Sequence, residues 1–222
     1  MSAPRWVRRG PGVVGVGYAV MVPRGWVQIP GQLRPEMAFD AVVDQLGNVL
    51  GGEVPADFAQ RVGSGLIEAR AADVDGHVLD SYVSAGPLPD TGTTASIVVT
   101  VVPIVARSTD DLDRLLLGRV GRGATALGVG GEPAVVWSET GDRQPARDSP
   151  GRVVRRSTML TRVTGQLDRL VSASLTVLET HQRTADTETA SDAVADALVE
   201  LFDAMLTTVR WLDAEGRVIT GR

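Results

Sequence analysis

The stretch Thr94–Val102, TASIVVTVV, constrains this chain more than any other. Its β-branched side chains suit a pleated strand, and so apolar a run fits a central strand covered on both faces. A chain holding such a strand must supply a sheet around it and further layers to cover it. With 222 residues the chain is long enough to bury one substantial core.

The segments on either side supply those layers. Gly17–Pro30, GYAVMVPRGWVQIP, reads as an apolar strand ending at Val22, a Pro23-Arg24-Gly25 turn, and a second extended run that starts at Trp26 and closes at Pro30. Proline presets φ at the turn and glycine tolerates a positive φ, so the chain is expected to reverse here and bury most of Trp26. In Glu36–Leu50, the residues Phe39, Val42, Val43, Leu46 and Leu50 recur at helical spacing. A second helix is expected from Pro55 toward Ala72, with Phe58, Val62, Leu66 and Ala69 aligned. Asp75-Gly76 then signals a turn, His77–Ser84 alternates as a strand, and Pro87–Gly92 is a loop.

Beyond the central strand, Ser108 or Thr109 followed by Asp110 and Asp111 marks a helix start. Leu112, Leu115 and Leu116 form its core side, and Gly118 is expected to stop it. Strands follow at Thr125–Gly128, Pro133–Ser138, Val153–Thr164 and Leu167–Thr180, separated by Gly130-Gly131 and by the polar loop Gly141–Gly151. Regular spacing with such turns predicts an antiparallel meander. In Val153–Thr164 neither face is cleanly apolar: Arg156, Thr158, Leu160 and Arg162 share one, Arg155, Ser157, Met159 and Thr161 the other. A long helix is expected over Thr189–Leu212, where Val194, Leu198, Leu201, Phe202, Met205 and Val209 form an apolar stripe. The expected class is therefore α+β: one mainly antiparallel sheet flanked by helices on both faces. Residues 1–16 read as a flexible arm, 17–212 as a single domain and 213–222 as a tail.

Composition removes more chemistry than it suggests. There is no Cys, and all 22 basic residues are Arg. That excludes thiol nucleophiles, disulfides, thiolate metal sites, Schiff-base lysines and the phosphate-loop lysine. The same bias is what a very GC-rich genome produces. A net charge of −5 with scattered arginines argues against nucleic acid as a partner. No run approaches the roughly 18 apolar residues of a membrane span. Arg8-Arg9 precedes an apolar stretch broken by Gly15 and Gly17, which fits a strand better than a targeting signal. The cytoplasm is the expected location.

Each motif has a plainer explanation. Gly10, Gly12 and Gly15 spell G-x-G-x-x-G but precede a strand instead of following one. His77 and His181 have no metal-ligand spacing, and Ser64 lies outside any G-x-S-x-G context. Asp73 and Asp75 beside Gly76 read as a turn, not as a calcium loop. Gly118–Gly123, GRVGRG, offers amides and two guanidinium groups to an anion, and equally a loop after a helix. No cofactor and no metal site is read from the sequence, and no catalytic residue is assigned. Two features remain for partner binding: Trp137, on a strand beside the polar loop, and the group Arg152, Arg155 and Arg156, either a charged edge or a docking surface for an acidic partner.

The order of elements carries a resemblance. A strand ending in V-P-R-G-W-V (Val22–Val27), helices, a strand meander and a last segment L-T-T-V-R-W-L (Leu206–Leu212) resemble actinobacterial proteins similar to the PsbP-like α/β/α sandwich. That fold is shared by the Ran-binding Mog protein, the PsbP subunit of photosystem II and effector chaperones of type VI secretion. The resemblance implies a binding module without chemistry of its own: an adaptor or chaperone for a protein partner, such as a secretion substrate or assembly component. The lipid-anchored mycobacterial members carry a cysteine that this chain lacks, which argues against an envelope role. Two alternatives stand beside it: a small-ligand carrier or hydrolase with a pocket between sheet and helices, and a structural subunit of a homo-oligomer.

Overall fold

The computed structural model describes residues 14–31, 35–50, 77–84, 92–140, 152–179 and 185–220. In chain order its elements are β1 (Gly17–Ala19), β2 (Trp26–Pro30), α1 (Pro35–Leu50), β3 (Val78–Ser84), β4 (Thr93–Pro103), α2 (Thr109–Val120), β5 (Thr125–Val129), β6 (Glu132–Thr140), β7 (Arg152–Arg162), β8 (Arg169–Glu179), α3 (Ala185–Thr207) and β9 (Arg210–Leu212). The architecture is α+β. Seven strands form one sheet in the order β2-β3-β4-β8-β7-β6-β5, and β1 pairs with β9 in a separate two-stranded sheet. All neighbouring strands are antiparallel.

The TASIVVTVV run lies within β4, between β3 and β8, and pairs with β8 from Thr93↔Glu179 to Pro103↔Arg169. Both central strands alternate. Ala95, Ile97 and Val99 are buried beside Val171, Ala173, Leu175 and Val177, whereas Ser96, Val98, Ser172, Ser174 and Thr176 are half-buried. Successive strand residues point to opposite faces, so adjacent Leu170 and Val171 feed different clusters. Val171 belongs to the main core, with Met159, Phe202, Met205, Leu206 and Trp211. Leu170 joins Leu112 and Leu116 of α2, with Val135.

The period-2 pattern resolves the ambiguous strand β7. Ser157, Met159 and Thr161 are buried, while Arg156 is exposed. An irregularity between Val153 and Arg155 shifts the register against β8 and lets Val154 join the main core.

Three local expectations need correction. Pro23-Arg24-Gly25 does turn, with Gly25 at φ 85, but the preceding strand ends at Ala19 and its partner is β9, not β2. A turn fixes local direction only, and Tyr18 pairs with Trp211 across the chain; Trp26, as expected, packs with most of its surface against the main core. Helix α2 runs past Gly118 to Val120. An interior glycine costs about 1 kcal/mol without ending a helix, and Val120 packs into the α2 cluster. Leu115, expected on its core side, is 48% exposed.

The last helix ends at Thr207, well short of Leu212. The Thr207 and Thr208 hydroxyls donate to the carbonyls of Ala204 and Met205, and Val209 N–H reaches Leu206 O. These bonds satisfy terminal carbonyls that a glycine cap would otherwise serve, so the chain leaves the helix with no glycine to mark it.

Contacts also extend beyond residues 17–212. Val16 is buried, Gly15 N–H donates to Thr164 O, and Ile219 N–H donates to Trp211 O. The Asp213 carboxylate accepts from the backbone N–H groups of Glu215 and Arg217 and holds the turn between β9 and Ile219. The helix expected from Pro55, the loop Gly141–Gly151, Ser64, Asp73, Asp75 and His181 lie outside the described residues.

Candidate functional site

Two places bring functional side chains together, one on each strand parity of the sheet. The first is exposed and starts from Trp137 on β6, which is half-buried and packs against the α2 cluster. The guanidinium of Arg119, in the last turn of α2, lies 4.9 Å from the Trp137 ring centroid. That distance is within reach of a cation–π contact. Across the sheet Trp137 is opposite Thr158, and Glu139 is opposite Arg156. Arg156 therefore shares a face with Trp137, and both Arg156 and Glu139 are exposed.

The other described arginines of this strand are engaged within the fold. Arg155 points the opposite way: its Nε donates to Asp196 at 2.9 Å and its Nη2 lies 3.9 Å from Asp192, both on α3. It fastens the helix to the sheet and is not part of an open surface. Arg162 is held by Asp113 at 2.9 Å and Glu132 at 2.7 Å. Arg152 opens β7 opposite Glu179, and its side chain lies outside the described ones. The Gly118–Gly123 stretch is no anion cradle, because Arg119 covers Trp137 and the Arg122 Nε donates to Gly118 O.

The second place is internal. Tyr18 Oη donates to Asp80 Oδ2 at 2.6 Å and lies 3.1 Å from Tyr82 Oη. Since the one Tyr18 proton goes to Asp80, Tyr82 is the donor between the two phenols. Gln28 Nε2 donates to Asp80 Oδ1 at 3.0 Å. Burial, reinforced by Tyr82 and Asp80, raises the Tyr18 phenol well above its ordinary value. Burial, followed by the Asp80 charge, raises Tyr82 as well. Both phenols are thus held protonated, as hydrogen-bonding groups and not as bases.

Beside this pair lies a cavity of ≈ 40 Å³ between Ile97, Met159 and Ala173 of the sheet and Phe202, Met205 and Trp211. It is far smaller than the roughly 300–1,000 Å³ of a ligand pocket. Trp211 is 1% exposed, and its indole N–H has no hydrogen-bond partner among the described residues. The ring edge lies against Gly130, where a Cβ would stand 2.8 Å from Cδ1 and Nε1.

Sequence reasoning singled out Trp137 and Arg156, which share a face, and missed Arg119 as the third member. A basic residue in a last helical turn ordinarily signals only the helix end. It also missed the Tyr18–Tyr82–Asp80 chain, which carries no local signal. Among the described residues no group of His, Asp or Glu side chains converges as a metal site, and no helix is long and apolar enough to cross a membrane. No family model, curated protein or solved structure matches the chain.

Proposed function

We propose that the protein is a non-enzymatic binding module, an adaptor or chaperone, that docks a protein partner on the sheet face bearing Trp137, Arg119 and Arg156. The observation that carries this reading is the half-buried Trp137 stacked under Arg119, with exposed Arg156 two strand positions from its cross-strand neighbour. A partly exposed tryptophan with arginine beside it is the composition of a binding hot spot. The two guanidinium groups suit a partner segment with acidic side chains. By analogy with the PsbP-like sandwich, the sheet is closed by helices on both faces, and the partner is a cytoplasmic secretion substrate or assembly component. Fold analogy of this kind supports a class of function and not a partner's identity.

The ligand-carrier and hydrolase alternative draws on the internal cavity, whose small volume counts against it. Affinity capture with the full chain and its Trp137→Ala and Arg156→Glu variants, followed by mass spectrometry, tests the proposal. A stoichiometric partner recovered by the wild type and lost from both variants, with circular dichroism unchanged, is the expected result. Repeated recovery of the protein alone, or equal recovery by the variants, overturns it.

A further inference from the structure

The two edges of the seven-stranded sheet are finished differently. At β2 the Gln45 side chain, from α1, accepts from Gln28 N–H at 3.2 Å and donates to Gln28 C=O at 3.0 Å. An amide side chain thus stands where a neighbouring strand would pair. At β5 no such cover exists among the described residues. The turn joining β5 to β6 is Gly130-Gly131, with φ of 60 and 83, which is the two-residue hairpin geometry. The pair flanking it, Val129↔Glu132, exchanges both hydrogen bonds, and so do the alternate pairs beyond it. The N–H and C=O of Ala126 and Gly128 therefore point away from β6. Both residues are exposed, and a Cβ placed on Gly128 meets nothing within 4 Å.

We propose that this edge is filled by a second copy of the chain, with β5 pairing antiparallel to its own counterpart about a two-fold axis at Leu127. The edge is its own complement. Ala126 of one copy faces Gly128 of the other, twice, giving four hydrogen bonds whose donors and acceptors are all supplied by those two residues. Leu127 meets its mate at the position between them, where cross-strand side chains approach most closely. Thr125 faces Val129. The strand TALGV carries no charge, so the two-fold axis brings no like charges together. The contact is short compared with the roughly 800 Å² per partner of a stable interface, so the dimer is weak and reversible.

Sedimentation of the full chain across micromolar to millimolar concentrations tests this. The expected mass rises from monomer toward dimer. Gly128→Pro removes the outward N–H and spares the ladder to β6, because the Gly128↔Pro133 pair holds no hydrogen bonds. It should weaken dimerisation by about tenfold or more. Gly128→Lys keeps the N–H, enters open space and places two like charges beside the axis; it should weaken dimerisation less and leave monomer unfolding unchanged. Hydrogen exchange at Ala126 and Gly128 should slow as the wild type is concentrated. A monomer mass at every concentration overturns the proposal, as does a dimer of equal strength in both variants. Edge amides protected only by an added extended peptide of another protein would assign the edge to that partner instead. If Gly128→Pro does not fold, Gly128→Lys and the exchange measurement decide.

Discussion

Trp211 and Trp137 both sit on strands beside a helix, yet they serve the molecule in different ways. Trp211, on β9, is 1% exposed and wedged against a backbone glycine. Its cluster joins residues from Val16 to Val209, almost the full span of the described chain. Trp137, on β6, is half-buried and packs in a cluster drawn from Val102 to Leu170. Its remaining surface is shared with Arg119. The first tryptophan contributes area removed from water, the term that scales directly with stability. The second leaves part of its ring uncovered, and the fold depends on it less.

Substitutions can break or sharpen that contrast. The largest effect is expected from Trp211→Ala, about 3–5 kcal/mol of stability in chemical denaturation; an equal loss for Trp137→Ala would erase the distinction. Gly130→Ala comes next. A Cβ there stands 2.8 Å from the indole, on a backbone at φ 60, and about 1–3 kcal/mol is expected from overpacking and strain. Tyr18→Phe removes the donor to Asp80 and should cost about 1–2 kcal/mol.

Tyr18 also predicts a pH dependence. Both phenols are raised in the folded state, so their contribution is complete below the ordinary tyrosine value of about 10. It is lost as pH climbs above that value toward the folded ones. Wild-type stability should therefore fall more steeply than that of Tyr18→Phe on alkaline titration, as followed by denaturant midpoints. The smallest effect belongs to Arg119→Ala. At this exposed site it should cost about 0.5–1 kcal/mol, yet lower partner capture on the Trp137 face. A large stability loss with capture intact would move Arg119 from the binding surface into the scaffold.

Much of this contrast was legible in the sequence where signals are local. Alternation in Leu170–Val177 and the β-branched run of β4 specify the sheet, and glycine pairs specify its tight turn. Helix α1 follows its apolar spacing. What could not be read depends on residues that meet only in three dimensions. Tyr18 and Asp80 are 62 residues apart. Neither the end of α3 at Thr207 nor the β1–β9 pairing is announced by a glycine or proline. The arginines of β7 looked like one patch because the pleat that sends Arg155 to α3 and Arg156 to solvent emerges only once the register is fixed. Trp137 stood out correctly as a strand tryptophan, but its partner Arg119 comes from a helix whose expected end fell two residues too early.

The pairing of β1 with β9 also governs the order of events during synthesis. Tyr18 is made early and Trp211 late, and neither strand has another partner in the described sheets. The apolar floor formed by Ile97, Val99 and Ala173, which α3 also covers, is therefore not fully closed until the β9 segment has been made. Until then the nascent chain carries a partly uncovered greasy surface, the condition under which a growing polypeptide most needs a holdase. Joining the segments before β1 and after β9 and opening the chain elsewhere would let that closure form early in translation.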